Sequence, residues 1–236
     1  MARPHGECVY CGKSGPLTRD HIPPRNLFRR AQPVDLITVP ACGRCNAAGR
    51  KDDEYFRLAI TLNEQVAEEP DVQVAIPEVL RSLQRVEAAG FRNVFLRGIH
   101  EVERITPAGL YLGRTLAYDV DLNRLGAVCS RMIRGLWYRH HGTRLPDGFT
   151  AQALAAAGLR DVDAETFLAA SRFFGPMIQA GTIHSVGRVF SYVFSADDHD
   201  HRVSAWILLF YRRVVFIGFT SLADAVPPEQ PHAAQR

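Results

Sequence analysis

Apolar side chains recur at helical spacing in several stretches of the chain. From Asn46 onward they recur on one face, which predicts a helix continuing to about Glu68 through Tyr55, Phe56, Ala59 and Ile60. Residues 121–141 have the same period, with an apolar face formed by Leu122, Leu125, Val128, Met132, Leu136 and Trp137. Residues 75–89 predict another helix that ends at Gly90, and residues 151–175 predict two short helices.

The later part of the chain has a β-type pattern. Residues 183–196 and 203–221 are rich in Val, Ile, Phe and Tyr, so they predict strands. The polar residues Asp197–His201 between them predict a solvated hairpin turn rather than a metal site. Shorter extended pieces are expected within residues 94–120, around a turn at Pro107–Gly109.

These elements predict an α+β protein with antiparallel strands. We expect an N-terminal module over residues 1–60, fused without a flexible linker to a mixed helix and strand body over residues 61–225. Residues 226–236 are expected to form a loose C-terminal tail. No catalytic motif marks the body, so substrate selection, dimerisation and regulation by a protein partner all stay open as its role.

Composition narrows the class of protein. The chain has 236 residues, of which 47% are hydrophobic and 22% charged, which excludes collagen, coiled coil and wholesale disorder. It has no run of about 18 apolar residues, and the start of the chain, MARPHGECVY, has no apolar signal core. We therefore expect no membrane partner and a cytoplasmic location.

Positive charge is concentrated near the N-terminus. Residues 1–51 contain nine Lys or Arg and three acidic residues, so this segment carries +6 while the whole chain carries +3. A basic module on a mildly acidic body suggests a face for a polyanion such as nucleic acid.

The cysteines determine the class of the N-terminal module. Two CxxC pairs, Cys8 with Cys11 and Cys42 with Cys45, have the spacing of a structural zinc site. Gly12 and Gly43 suit the tight turn that each pair requires. With four thiolates as ligands, this Zn²⁺ has no open position for catalysis. The fifth cysteine, Cys129, lies in a helical pattern and is expected to be a buried, inert thiol.

The segment between the two cysteine pairs carries the candidate chemistry. It predicts a short strand that ends at Leu17–Arg19, a second strand at LITVP that ends at Pro40, and the helix from Asn46. This hairpin and helix would place Asp20 and His21 across a small concave site from Asn46. The acidic residues Asp52, Asp53 and Glu54 could extend a metal site, but they are expected instead to begin the helix at its positive end or to face solvent.

The joint pattern over residues 6–57 resembles the HNH endonuclease family, the ββα-metal or His-Me finger fold, in its CxxC–DH–CxxCN variety. The resemblance implies that Asp20 and Asn46 hold one catalytic Mg²⁺ or Mn²⁺ ion and that His21 is the general base. It implies a phosphodiester hydrolase acting on DNA, with RNA not excluded, in restriction, phage defence or mobile-element biology. Flanking phosphates would be held by basic residues, namely Arg25, Arg29, Arg30, Arg50 and Lys51.

One position departs from the family pattern. Where the family has Asn directly before the second strand, orienting the catalytic His, this chain has Asp35. A carboxylate can accept a hydrogen bond from imidazole, and its charge is expected to raise the pKa of His21.

Two alternatives to a simple nuclease remain open. Asp35 motivates a non-catalytic zinc module that binds nucleic acid. The basic module also motivates a nuclease effector held inactive until a partner or signal binds the C-terminal body.

Overall fold

The computed structural model describes residues 4–28, 32–106, 108–156, 174, 175, 177, 179 and 181–223. The described chain is a mixed α+β protein with antiparallel sheets, as the sequence predicts. It divides into two compact units, one formed by residues 1–60 with 122–236 and the other by residues 61–121.

The N-terminal part of the first unit is a small sheet followed by two helices. Strands β1 (His5–Glu7), β2 (Ser14–Ile22) and β3 (Ile37–Cys42) form an antiparallel sheet in that order. Helices α1 (Gly43–Ala48) and α2 (Arg50–Thr61) follow directly. The predicted hairpin and helix are thus present.

Three predicted boundaries in this region are wrong. The strand predicted to end at Leu17–Arg19 continues to Ile22, because its pairing with β3 extends to the residue before Pro23. Pro40 does not end the second strand but lies inside β3, opposite Arg19. An edge strand tolerates proline because the missing N–H removes no ladder bond on its open side, and β3 is the edge of the sheet. The helix predicted from Asn46 to Glu68 is instead two helices that meet at Gly49, and a short 3₁₀ turn follows at Glu64–Val66.

The rest of the first unit is one long helix and a five-stranded sheet. Helix α5 (Leu122–His141) precedes strands β6 (Phe149–Ala155), β7 (His184–Val186), β8 (Phe190–Ala196), β9 (Ser204–Phe210) and β10 (Val214–Leu222). The strand order is β6-β10-β9-β8-β7, and all pairs are antiparallel. Helix α5 buries most of the predicted apolar face, with Leu125, Val128, Met132, Leu136 and Trp137 all nearly inaccessible. Leu122, the first residue of the helix, was predicted on the same face but is exposed.

Strand β6 corrects the prediction of helix over residues 151–175. Its Ala-rich sequence favours a helix when taken alone, but residues Phe149–Ala155 pair with β10 along their whole length. Pairing to a sheet edge outweighs the local preference. Residues 157–173 of the predicted helices lie outside the described residues.

The predicted hairpin at Asp197–His201 is confirmed. It joins β8 to β9 and is exposed, and the Asp197 carboxylate accepts hydrogen bonds from the backbone N–H groups of His199 and Asp200 at 2.9 Å each. The carboxylate therefore stabilises a turn.

Cys129 is also as predicted, since it is fully buried and burial raises the pKa of its thiol.

The second unit contains helices α3 (Pro70–Leu83) and α4 (Ala89–Arg97) and the hairpin of β4 (Ile99–Ile105) and β5 (Tyr111–Tyr118). The helix predicted over 75–89 begins earlier, because Pro70 at its first turn has a backbone angle that suits a helix start. It ends before Gly90, which lies inside α4. The extended pieces predicted within residues 94–120 are found from Ile99 onward.

The division into units differs from the predicted one. The predicted N-terminal module of residues 1–60 shares its compact unit with residues 122–236, whereas the predicted body of residues 61–225 is split at 121/122. The physical reason is visible at Phe56 of α2. Its ring is fully buried and packs against Phe210 and Phe216 of the five-stranded sheet, with ring centroids 5.0 and 5.7 Å away. Residues 224–236, which include the predicted tail, lie outside the described residues.

Candidate functional site

The four cysteines of the two CxxC pairs converge at the junction of the small sheet and α1. Their sulfur atoms all lie within 4.8 Å of one another. The first pair sits on a knuckle in which the Gly12 N–H donates to the Cys8 carbonyl at 2.9 Å, and Gly12 has a φ of +70° that favours glycine. The second pair lies at the start of α1, where Cys42 is the N-cap.

This arrangement fits a structural zinc ion. Sulfur ligands at about 2.3 Å from a tetrahedral Zn²⁺ lie about 3.8 Å apart, and the Cys11 and Cys42 sulfurs are 3.8 Å apart. The Cys45 N–H donates to the Cys42 sulfur at 3.5 Å. This bond is the largest contribution lowering the pKa of the Cys42 thiol, to about 7, whereas burial and the contact with Cys42 raise the pKa of the Cys45 thiol. Cys42 is therefore the cysteine that more readily supplies the thiolate that zinc requires.

A polar cavity of about 550 Å³ lies beside the cysteine cluster. It is bounded by the end of β2, the loop after it, and helices α1 and α2. It is lined by three of the four predicted catalytic residues, Asp20, His21 and Asn46. The remaining walls are formed by Thr18, Arg19, Pro24, Arg25, Asn26, Arg50, Asp53 and Glu54.

Asp20 is only 6% exposed. One oxygen, Oδ2, accepts a hydrogen bond from the Tyr10 hydroxyl at 2.7 Å, and the other, Oδ1, accepts from the His21 N–H at 3.0 Å. The guanidinium of Arg131 in α5 lies 3.8 Å from Oδ2. The carboxylate therefore has a fixed orientation at the edge of the cavity.

His21 is half-buried at the end of β2, opposite Thr38 of β3. Burial lowers the pKa of its imidazole, and the positive charge of Arg25 lowers it further, while Asp20 opposes both. The imidazole is thus neutral at neutral pH, the form that can accept a proton.

Asn46 is held to the sheet by its side chain. The amide nitrogen donates to the Thr18 hydroxyl at 2.9 Å and to the Arg19 carbonyl at 3.0 Å. The amide N–H groups are engaged by β2, so the carbonyl oxygen is the atom left to bind a cation or a proton donor.

The predicted phosphate-binding residues separate into three groups. Arg25 and Arg50 line the cavity, together with Arg19, which was not predicted. Lys51 is not among the described lining residues, and its carbonyl accepts a hydrogen bond from Arg124 at 3.0 Å. Arg29 and Arg30 lie outside the described residues.

Asp35 is not among the cavity-lining residues that the structure describes. Its carboxylate accepts a hydrogen bond from the Gly187 N–H at 3.3 Å, and the residue borders a different cavity next to Tyr138 and Arg139. The expectation that Asp35 raises the pKa of His21 is therefore wrong. The pKa of His21 is lowered, and the carboxylate that acts on it is Asp20.

Besides Arg19, sequence reasoning missed two contributors to the site, Tyr10 and Arg131, and it favoured a helix-start role for a third, Asp53. Tyr10 lies between the first two cysteines and bonds Asp20. Asp53 does lie in the first turn of α2, as expected, but it also lines the cavity and forms an ion pair with Arg131. Helical periodicity places Arg131 on the polar side of α5, and no motif links it to the cysteine module.

The Arg139–His141 segment at the end of α5 does not line this cavity. His140 packs against Phe194, and its Nε2 lies 2.9 Å from the Tyr192 hydroxyl. His141 stacks on Trp137 with ring centroids 3.9 Å apart. These side chains complete the core of the first unit at the C-terminal end of α5.

No protein-family model, curated protein or solved structure matches this chain. Among the described helices, none has both the length and the apolar character needed to cross a membrane. The chemical reading of the cavity therefore depends on its own residues: a neutral imidazole, an oriented carboxylate, an amide oxygen and several guanidinium groups beside a zinc-type cysteine cluster.

Proposed function

We propose that this protein is a metal-dependent endonuclease of the HNH type that hydrolyses DNA phosphodiester bonds. The observation that supports this most is the cavity itself, in which Asp20, His21 and Asn46 meet on a sheet and helix joined by four cysteines. Each of these residue types has a role in hydrolysis of a phosphodiester, and the three meet on an α+β module with the order of elements that the resemblance implies.

The donor set suits a hard divalent cation. Asp20 offers a carboxylate oxygen and Asn46 an amide oxygen, ligands that Mg²⁺ and Mn²⁺ prefer. When bound, such an ion supplies positive charge at the phosphate and at the leaving oxygen. Two protein ligands leave most of the coordination shell to water and substrate.

His21 is the general base in this mechanism. Its neutral imidazole accepts a proton from the attacking water, and the lowered pKa keeps it ready to do so at neutral pH. Arg25 and Arg50 line the same cavity and hold the phosphates on either side of the scissile bond. Such contacts carry little sequence information, so we expect weak sequence preference.

A binding-only zinc module stays the second candidate function. Asp35 stands in place of the family's Asn, but it bonds Gly187 and does not border the described cavity, so it does not orient the His21 imidazole. A wild type that binds DNA but does not cut it with Mg²⁺ or Mn²⁺ would favour this candidate. Regulation by a partner is a separate proposal that the cavity does not address.

The test is cleavage of supercoiled plasmid by the zinc-loaded wild type and by His21→Ala. We expect cleavage with Mg²⁺ or Mn²⁺, none with EDTA, and a loss of at least about 100-fold in His21→Ala, because general-base catalysis contributes that much. Arg44→Ala is the matched control, since Arg44 is an exposed residue of α1 outside the cavity. A His21→Ala protein that cuts like the wild type would contradict the proposal. The same assay with single-stranded RNA tests whether the protein cuts RNA as well as DNA.

A further inference from the structure

The helix that contacts Asp20 belongs to the C-terminal part of the chain. Arg131 of α5 forms an ion pair with Asp53 of α2, and both side chains are only 17% exposed. The same guanidinium is 3.8 Å from Asp20 Oδ2. Gly49, at the junction of α1 and α2, makes this approach possible, because a Cβ at that position would overlap the guanidinium.

Arg131 acts on the site without entering it. The cavity that contains His21 is lined by Asp20 and Asp53, whereas Arg131 borders a neighbouring cavity of about 560 Å³ with Tyr10 and Arg134. Arg131 therefore reaches the candidate metal site only through the two carboxylates. A second arginine reinforces this wall, since Arg134 donates to the Tyr10 carbonyl at 2.9 Å.

Charge balance gives this pair a specific consequence. An unpaired guanidinium close to Asp20 would offset the negative charge that a divalent cation needs. Asp53 balances the Arg131 charge, while the Tyr10 hydroxyl holds Oδ2 in position and the Arg131 guanidinium lies 3.8 Å from it. Oriented carboxylates of this kind depend on their outer partners for cation affinity.

We propose that Arg131 and Asp53 form a charge-balanced pair that positions Asp20 to bind the divalent cation. They are positioning residues, which act through Asp20. This inference rests on the proposed function, because it gives Asp20 the role of a metal ligand. It also makes α5 part of the nuclease site, although the helix lies outside the cysteine module.

The test measures Mn²⁺ binding to the zinc-loaded full chain by electron paramagnetic resonance of free Mn²⁺. Asp53→Asn keeps the shape of the side chain but leaves the Arg131 charge unbalanced beside Asp20. We expect Mn²⁺ affinity to fall by about 10-fold or more, the usual effect of losing an outer partner. Plasmid cleavage by this variant should recover at high Mg²⁺, because the defect lies in binding.

A matched pair on the same two helices provides the control. Arg124 of α5 bonds Asp52 of α2 at 2.6 Å. Asp52 is one position before Asp53, Arg124 is about two helical turns before Arg131, and Asp52 borders the neighbouring cavity instead. Asp52→Asn is therefore expected to leave Mn²⁺ affinity unchanged. Equal losses in Asp52→Asn and Asp53→Asn would overturn the inference.

The double variant Asp53→Asn/Arg131→Gln separates positioning from direct ligation. Because it removes both charges, it should recover most of the lost Mn²⁺ affinity. No recovery would mean that Asp53 is itself a ligand and would overturn the proposed role. If Asp53→Asn loses its zinc, the Mn²⁺ affinity of the double variant is compared directly with that of the wild type. An affinity close to the wild-type value supports the positioning role, and a much lower one overturns it.

Asp20→Asn distinguishes the two levels of proposal. If it leaves Mn²⁺ binding unchanged, the proposed metal site fails and the inference about Arg131 fails with it. If it abolishes binding while Asp53→Asn has no effect, the metal site stands and only the inference is overturned.

Discussion

The orientation of Asp20 and the pKa of His140 are both set by neighbouring residues. Asp20 has two fixed oxygens because Tyr10, the His21 N–H and Arg131 surround it. His140, at the C-terminal end of α5, lies instead in a mainly aromatic environment. Its ring lies among His184, Tyr192 and Phe194, and burial lowers its pKa to about 4, helped by the charges of His184, His141 and Arg139.

His140 should make folding stability depend on pH. Its folded pKa of about 4 lies below the unfolded value of about 6.5, so the unfolded chain binds more protons between these values. The stabilisation is complete above pH 6.5 and is lost as the pH falls toward 4. We predict that urea unfolding at pH 7 and pH 5 shows a larger loss of stability for the wild type than for His140→Gln.

Gln is the appropriate replacement because it can keep a hydrogen bond to Tyr192 but does not titrate. Other groups that lose stability in acid, such as His141, are common to both proteins and cancel in the comparison. Equal losses in the two proteins would show that His140 does not carry the effect.

At the scale of elements, the cysteine cluster joins the turn between β1 and β2 to the start of α1. In this corner buried Cys8, Leu17 and Ala41 form a small apolar cluster with Tyr10. An ion bound by four sulfurs would therefore provide much of the order in this region.

Removing one sulfur tests that role. Cys42→Ala is expected to reduce bound zinc from about one ion per chain and to cost about 4 kcal/mol or more, as loss of a structural metal can. Mass spectrometry of the metal content and thermal unfolding measure the two effects. Cys129→Ala is the control, because Cys129 is fully buried away from the cluster. Unchanged zinc content in Cys42→Ala would refute a four-sulfur site.

Several elements could be predicted from their own residues, and others could not. Helix α5 and the hairpin of β8 and β9 have strong local patterns, so their sequence was sufficient. Strand β6 was mistaken for a helix because its pairing with β10 outweighs the preference of an Ala-rich segment. Pro40 was taken as a strand end because sequence does not show that β3 is an edge strand.

At the scale of the whole molecule, the N-terminal module of residues 1–60 shares part of its core with later segments of the chain. Phe56 of α2 is fully buried against Phe210 and Phe216, and the Tyr211 hydroxyl donates to the Leu27 carbonyl at 3.3 Å. Arg131 adds an ion pair to the same interface. The candidate site is thus supported by residues of the N-terminal module and by residues of α5 and the five-stranded sheet.

Truncating the central ring of this interface should destabilise the protein strongly. We predict that Phe56→Ala costs about 3–5 kcal/mol, the usual loss for a buried Phe in a core. Thermal and urea unfolding measure the loss, and zinc content should stay unchanged because Phe56 is not in the cysteine cluster. Phe219→Ala is the control, since Phe219 is 37% exposed and its loss should cost less. Equal costs would contradict the role of Phe56.

The sequence by itself determined the features that depend on spacing along the chain. The two CxxC pairs indicated the zinc-type cluster, Asp20, His21 and Asn46 indicated a shared cavity, and the period of residues 121–141 indicated α5. Only the tertiary structure decided what depends on distant residues meeting. It placed Asp35 against Gly187 instead of His21, and it brought Arg131 to Asp53 and Asp20. Ion pairs and burial arise between segments with no fixed spacing, so no local pattern encodes them.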